Sequence, residues 1–521
     1  MMHRKIYEEN RNLGFIIVKN LDLSKFKDEV EKLISISTGE DKLLFITTYI
    51  ENNIKPIDIF SNLMFYNETE EINDLVKFYL IYALSLLNKN LMKKYFPNID
   101  IKENNLIVSK DNPLFMSKNL FQILFSLLYH CKEKEVEHTI YELLLEYSEM
   151  SNDFTEHCLE DTRYIGKIFQ LTYANFNEII NNSLIILDNI LCDRNCDSKQ
   201  LENILQEYSI IERCKELLLN NNLEIESKIN CLEILVTISQ KLENYLDNYF
   251  FDFINIFYNI LVLQKQNEEI FMNILKICEA ITKSDNICLK IKEVGLIDIF
   301  YNSLSQPNIE RDFLIKLLNI FSDLFYEDEI VNYYIIDKNA QIINVFIKII
   351  NTYMHTCNDK DDKLLAKVFY CLSNIAAGTQ DPNVQYIFSK SEIPKLVIQI
   401  MKIKNNNDIN YEGVQILNNL ITDCNKETFY NVSELQPFKI YAKALNDTSK
   451  ADKITFYLKA IIKLIENNNK FYHTLENLKK EFYICLIKKK IDDLTYHSDK
   501  KISLLAKKII ENLEDKMKMD D

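Results

Sequence analysis

The chain has very little glycine and proline, and it has no tryptophan. Its 521 residues include 6 Gly and 7 Pro, whereas average usage is roughly 7% and 5%. Folds rich in strands need many tight turns, and these two residues are the main turn formers. The shortage therefore predicts an all-α chain. No two glycines are close enough to form a phosphate loop, a dinucleotide fingerprint or a nucleophile elbow, so we expect no enzyme.

Long apolar runs are also missing. Mostly apolar stretches such as Phe121 to Leu128 fall well short of the roughly 18 residues that a membrane helix needs. The first residues, from Met1 to Glu9, mix charges with apolar positions and do not resemble the apolar core of a signal peptide. We expect a soluble intracellular protein with no membrane partner.

Metal and cofactor motifs are absent from the sequence. The 12 Cys are scattered singly, which is typical of buried free thiols. Cys192 and Cys196 form one close pair, but no second pair or His cluster lies near enough to complete a zinc site. We therefore predict neither a metal nor a cofactor.

The net charge is -16. Proteins that bind nucleic acid generally present a basic face, so nucleic acid is not the expected ligand. Two explanations of the acidic balance remain open: it could favour basic peptides, or it could simply keep a long chain soluble.

What the sequence does contain is a repeat. An apolar residue, any residue, a polar or variable residue and another apolar residue recur along the chain, most clearly at Leu372 to Ile375. We call the third position the slot. It is occupied in turn by Leu86, Glu146, Asn189, Thr237, Ala280, Asp323, Asn374, Asn419 and Lys463. After a first interval of 60, the slots are separated by 43 to 51 residues, which is the period of armadillo and HEAT repeats.

The segments between slots have the pattern of helical repeats. Leu314 to Phe325 is apolar around most of a helix, as expected of an element that packs on two sides. Shorter amphipathic segments follow polar links, for example at Val294 to Phe300, Ser391 to Val397 and Leu435 to Phe438. Asn-rich stretches, at Asn220 to Asn222, Asn405 to Asn407 and Asn467 to Asn469, are predicted to be loops.

These patterns predict an armadillo-type α-solenoid, a right-handed superhelix of about nine to ten three-helix repeats. We place it at residues 41–515. Residues 1–40 do not show the repeat clearly, and residues 516–521 are expected to fray. Apolar spacing at Ile502, Leu505, Ile509 and Leu513 predicts a terminal cap, and the link from Thr356 to Asp362 explains the longest late interval.

The chain resembles the importin alpha family of armadillo adaptors. In that family a helix with W-x-x-S-N and then I-x-x-G precedes an I-P-x-L helix, and here Tyr370 to Gly378 and Glu392 to Leu396 match. Lys55 to Phe60 is similar to the segment near the start of the family's repeats, and Ile491 to Glu511 is similar to its terminal unit. In layout the resemblance covers roughly residues 41–515.

The resemblance implies a peptide-binding role for particular residues. In importin alpha, Asn amides bind the backbone of nuclear localisation signals and Trp rings pack against Lys or Arg stems. The Asn role falls on Asn189, Asn374 and Asn419, and Tyr370 alone keeps a ring in a Trp position. A second interpretation stays open: Tyr370 and Asn374 are a partly buried ring and an amide that bonds to the neighbouring repeat.

The resemblance also bears on partners. Glu146 and Asp323 replace Asn at two slots and are either exposed acids or carboxylates for a basic ligand. The basic residues of the first 40 positions are interleaved with acids, so recruitment of the importin beta carrier through a basic segment is not expected. The leading hypothesis is an adaptor of the cytoplasm and nucleus that holds a basic extended peptide for nuclear import. The alternative is an armadillo scaffold for cytoskeletal or multiprotein assembly without a transport role.

Overall fold

The computed structural model describes residues 125, 134–150, 152–242, 246–264, 267–356, 358–377, 381–472 and 487–514. Several predictions lie outside this part: the segment 1–40, the slot at Leu86, the segment Lys55 to Phe60, Gly378 and the tail 516–521. The chain divides into two compact units, Met1–Glu243 and Asn244–Asp521.

The described part of the first unit is helical, as the composition predicts. Its helices are α1 (Lys134–Met150), α2 (Asn152–Glu160), α3 (Arg163–Leu171), α4 (Asn177–Cys192), α5 (Ser198–Tyr208), α6 (Ile210–Leu219) and α7 (Ile225–Lys241). Helix α5 begins at a capping box, in which the Asp197 side chain accepts from the Gln200 backbone N–H and Gln200 bonds back to Asp197.

The second unit continues the same pattern, and its described residues likewise contain no strand. Its helices are α8 (Leu246–Phe250), α9 (Phe253–Leu263), α10 (Glu268–Ile281), α11 (Asp285–Val294), α12 (Leu296–Leu304), α13 (Arg311–Leu324), α14 (Asp328–Asn332), α15 (Gln341–Tyr353), α16 (Asp359–Ala377), α17 (Pro382–Lys390), α18 (Ile393–Ile403), α19 (Asn407–Ile421), α20 (Lys426–Ser433), α21 (Pro437–Asn446), α22 (Ala451–Tyr472), α23 (Ile487–Leu494) and α24 (Lys500–Glu514). A π-helical turn, Tyr333–Asp337, follows α14.

These helices form repeats of one short helix and two longer ones. In the second unit the last helices of the repeats, α10, α13, α16, α19, α22 and α24, pack one against the next. We call them the third-helix row. The middle helices α15, α18, α21 and α23 also pack in succession and form the second-helix row. In the first unit α1, α4 and α7 pack in the same way as a third-helix row of their own.

The predicted periodicity is confirmed by the burial of the third helices. Every slot residue from Glu146 to Lys463 lies on one of them. In α13 the buried side chains are Leu314, Leu317, Leu318, Ile320, Phe321, Ser322 and Leu324. In α24 Ile502 and Ile509 are fully buried and Leu513 is nearly so, so the terminal segment closes the apolar core by packing on α22.

Local sequence signals explain where many helices begin and end. Gly295 has φ +85 and separates α11 from α12, a backbone conformation that Gly adopts without the steric penalty of a side chain. Pro394 and Pro437 lie in the first turns of α18 and α21. Backbone N–H groups there have no partner within the helix, so the missing N–H of Pro costs no hydrogen bond. The shorter amphipathic segments predicted at Ser391 to Val397 and Leu435 to Phe438 are therefore confirmed as the beginnings of helices.

Two loop predictions need correction. Asn467 to Asn469 lie inside α22, not in a loop; Asn467 is buried and donates to the Ile421 carbonyl, so its polarity is satisfied within the packed helices. The predicted link at Thr356 to Asp362 becomes helical at Asp359. The buried Asp361 carboxylate in that turn pairs with Arg311 at 2.6 Å, which ties α16 to α13.

Most cysteines of the described residues are buried free thiols, as the sequence predicts. Of the cysteines in the described residues, Cys192 is exposed and the other eight are buried, and all are free thiols. Burial raises the pKa of Cys196 to about 11, so this thiol stays protonated and packs as a small apolar side chain.

Candidate functional site: the third-helix row of the second unit

The predicted slot residues Asp323, Asn374 and Asn419 lie on successive helices of the third-helix row. They belong to α13, α16 and α19, and Tyr370 lies one turn before Asn374 on α16. Residues four apart on a helix share a face, so the sequence spacing brings these four predicted residues to the same side of the row. Asn189 lies in the first unit, on α4, and the side chain of Glu146 is outside the described part of the chain.

The Asn374 amide is an internal bridge between two helices. Its side chain is 4% exposed, and its Nδ2 donates to the Ser322 carbonyl oxygen of α13 at 2.8 Å. Carbonyls in the last turn of a helix lack partners within that helix, and Asn374 supplies one. At this position the slot side chain therefore faces the neighbouring helix and not the solvent.

Asn419 and Asn189 make bridges of the same kind. Asn419 Nδ2 donates to the Ser373 carbonyl of α16 at 3.0 Å, and Asn189 Nδ2 donates to Ser148 Oγ at 2.9 Å. Both side chains are half-buried, so each retains some surface beside the bridge. The slot amides thus form hydrogen bonds to the neighbouring repeat. Their role in peptide binding remains a prediction.

The Tyr370 ring lies at the centre of an aromatic and charged cluster. Its hydroxyl forms a 2.6 Å hydrogen bond with the Tyr326 hydroxyl, which belongs to the preceding repeat. Tyr326 is 61% exposed. On the other side the Lys367 ammonium is 5.0 Å from the Tyr370 ring centroid, a cation–π geometry. Burial, followed by the Tyr326 hydrogen bond, raises the pKa of Tyr370 to about 12, so the phenol stays neutral.

Carboxyl groups lie on the helices on both sides of Tyr370. On α13 Asp323 accepts a hydrogen bond from Thr282 Oγ1 at 3.1 Å, and on α19 Glu412 accepts one from Ser373 Oγ at 3.3 Å. Burial raises the pKa of Asp323 above its usual range, and burial raises that of Glu412 to about 7. The positive charge of Lys367 opposes both shifts. Each carboxyl group is therefore partly desolvated, and a further cation would stabilise its ionised form.

Sequence reasoning missed three members of this cluster: Tyr326, Lys367 and Glu412. Lys367 and Glu412 each lie seven residues before a slot asparagine, and Tyr326 lies three residues after a slot aspartate. Seven residues are two helical turns, so extending the helical stripe from each slot would have found the first two. Tyr326 follows the end of α13, so its position relative to the slot residues cannot be predicted from helical spacing.

The described residues also bear on metals and membranes. Among them no group of three or more His, Cys, Asp or Glu side chains could hold a metal ion. No helix in the same part of the chain is both long enough and apolar enough to cross a bilayer.

Comparison with known proteins identifies the architecture. No family model matches the chain, and no curated protein matches it. Among solved structures, an engineered protein is similar over 88% of this chain and 99% of its own, with a TM-score of 0.63 and 11% identity. A structure from work on the interaction between cadherin and beta-catenin matches 88% of this chain and 80% of its own, with a TM-score of 0.60 and 11% identity.

The fold is all-α and of the armadillo type. This confirms the prediction made from the period and the shortage of turn residues. At 11% identity the likeness shows the fold alone, and function must be argued from the residues of the site.

Proposed function

We propose that this chain is a protein-binding armadillo adaptor that holds an extended segment with basic side chains along the third-helix row. The observation that carries the proposal is the pair of partly buried carboxyl groups, Asp323 and Glu412, on either side of the Tyr326–Tyr370 pair. Extended segments commonly bind between the side chains of repeated helices, which supply several small contacts at regular intervals.

Charge and ring chemistry support a basic segment. A partner's ammonium or guanidinium group near Asp323 or Glu412 would favour the ionised form of a carboxyl group that burial disfavours. The exposed Tyr326 ring offers an apolar surface for the stem of a Lys or Arg side chain. The beta-catenin work concerns an interaction between two proteins, and we extend that kind of role, protein recognition, to this chain.

The finer proposal is nuclear import of proteins that carry localisation signals, with the chain present in cytoplasm and nucleus. It follows from the resemblance of Tyr370 to Leu396 to importin alpha. In this proposal the half-buried Asn419 and, for a segment bound to the first unit, Asn189 offer their remaining amide atoms to the peptide backbone. Glu146 offers its carboxylate to a basic side chain of that segment. Asn374 is 4% exposed and supports the site by holding α16 against α13.

A scaffold role without transport is the second candidate. The observation that favours it is the use of the Asn374 and Asn419 amides as bridges between helices, which leaves fewer groups to bind a peptide backbone. In that case partners would bind other surfaces of the repeats.

The test is a titration of a labelled lysine-rich localisation peptide, followed by fluorescence anisotropy. We expect Asp323→Asn combined with Glu412→Gln to weaken binding roughly tenfold, because two charge-assisted contacts are lost. The matched control is Glu293→Gln, which removes an exposed carboxylate from α11.

Unchanged affinity in the double variant would remove the carboxyl groups from the site. A wild-type protein that is folded by circular dichroism and binds no peptide would favour the scaffold role instead.

A further inference from the structure

Several charges of the third-helix row are paired within the protein. Glu279 pairs with Lys316 across α10 and α13. Further along, Asp408 pairs with Lys453 at 3.1 Å across α19 and α22, and Lys463 lies 3.7 Å from Asp423. These charges already have partners and offer little to a ligand.

Three other charged side chains of the row are Asp323, Lys367 and Glu412. Within the described residues of the second unit, these three form no ion pair. They lie on α13, α16 and α19, three helices that pack in succession, and their signs alternate. The positive charge of Lys367 lowers the pKa of both carboxyl groups, as that of Lys453 does for Glu412.

The charge of Lys367 also determines which ligand side chain can bind beside the central helix, α16. Its ammonium already lies over the Tyr370 ring, the position that a ligand's cation would otherwise take. A second cation there would be repelled by a like charge, whereas an acidic side chain would gain an ion pair.

The helix spacing sets the separation of complementary charges in a ligand. Packed helices are about 8–10 Å apart. A polyproline II segment has 3 residues per turn and rises about 3.1 Å per residue, so side chains on one face recur every ~9 Å. One residue in every three therefore meets one helix of the row.

We propose that the segment bound here carries a basic, an acidic and a second basic side chain at intervals of three residues, facing Asp323, Lys367 and Glu412 in turn. This inference rests on the proposed function and refines it: a uniformly basic segment is not the best ligand. Lys367 acts as the residue that selects the charge at the centre of the segment.

The experiment compares three peptides of equal length with uncharged filler residues: Lys-x-x-Glu-x-x-Lys, the permuted Glu-x-x-Lys-x-x-Lys, and Lys-x-x-Lys-x-x-Lys. The first two have the same composition, so their difference reports charge order and not net charge. We expect the full-length wild-type protein to bind the first peptide about 3–10-fold more tightly than the other two, as measured by anisotropy at low salt.

Charge reversal supplies the decisive variant. Lys367→Glu should reverse the preference, so that Lys-x-x-Lys-x-x-Lys binds most tightly. Lys367 is only half-buried, and circular dichroism checks the fold. The matched control is Lys395→Glu, at an exposed position of α18 in the second-helix row, which should keep the wild-type order.

Equal binding of the two permuted peptides, or an unchanged order in Lys367→Glu, would overturn the inference. If Lys-x-x-Lys-x-x-Lys binds the wild type most tightly, the inference fails while the proposed function stands. If a folded protein binds none of the three, the proposed function fails as well.

Discussion

The second-helix row and the third-helix row of the second unit differ in the side chains that bind the last carbonyls of their helices. The last carbonyls of each helix need donors. In the second-helix row a cation supplies one at the end of α18, where Lys443 Nζ donates to the Met401 carbonyl at 2.6 Å. In the third-helix row neutral amides do so: Asn374 donates to the Ser322 carbonyl of α13, and Asn467 donates to the Ile421 carbonyl of α19.

The difference has a functional consequence. A cation at a helix C-terminus also interacts favourably with the helix dipole, but it adds a positive charge beside the helix end. Amide bridges add none. No capping cation is therefore added beside Asp323, Lys367 and Glu412, where the candidate site lies. The first unit differs, because there Lys241 donates to the Leu191 carbonyl of the third helix α4.

Loss of an amide bridge should have the largest effect on stability. We expect Asn374→Ala to lower the free energy of unfolding by about 2–3 kcal/mol, because it leaves the Ser322 carbonyl without this donor and empties a buried position. Urea denaturation measures the loss, and hydrogen exchange should show faster opening at the end of α13. Asn418→Ala is the control, since the Asn418 oxygen has no hydrogen-bond partner. Equal losses in the two variants would contradict the bridging role.

Loss of a cationic cap should cost less. We expect Lys443→Met to lower the free energy of unfolding by about 1–2 kcal/mol, because the apolar stem is kept while the charged donor to Met401 is lost. The control is Lys439→Met on the same helix, where the ammonium bonds to the side chain of Gln436 at the helix start. If Asn374→Ala lowers the free energy of unfolding no more than Lys443→Met does, the two kinds of bridge do not differ in their contribution to stability.

The smallest expected effect concerns pH. Glu412 faces Ser373 and Lys367 on α16 and Lys453 on α22, with Asp408 on its own helix. Burial raises its pKa to about 7 in the folded protein, from 4.5. Folding therefore favours the protonated form, and this contribution is present below pH 4.5 and is lost as the pH rises through 7.

Glu412→Gln should remove that dependence. Relative to wild type, the variant should gain stability on the order of 1 kcal/mol between about pH 5 and pH 8, the magnitude being reduced by solvent screening of a partly exposed group. Urea denaturation at several pH values measures the difference between the two proteins. A difference that stays constant with pH would show that Glu412 titrates as it does in the unfolded chain.

Much of the fold was predictable because it depends on periodic features. The shortage of Gly and Pro predicted helices, and the slot interval located the third helices from α1 to α22 correctly. The Asn-rich stretches show the limit of such reasoning. Asn220 to Asn222 lies between α6 and α7 as predicted, but Asn467 to Asn469 is helical because the amide of Asn467 bonds to the preceding repeat. A local pattern does not contain that partner.

The candidate site was predictable only in part. Tyr370, Asn374, Asn419 and Asp323 were placed on one row by their spacing, and the row exists. Which of their atoms remain for a ligand depends on contacts between helices. The same residue type, Asn, is buried at position 374 and half-buried at position 419, although both belong to the same repeat motif.

The sequence by itself determined the helical class, the repeat period and the apolar faces, because these follow from side chains a few residues apart on one helix. Only the tertiary structure decided which polar groups bridge helices and which charges are left unpaired. Asp323, Lys367 and Glu412 are separated by 44 and 45 residues along the chain. The packing of α13, α16 and α19 makes them neighbours, and electrostatic interactions depend on distance in space and on the loss of surrounding water.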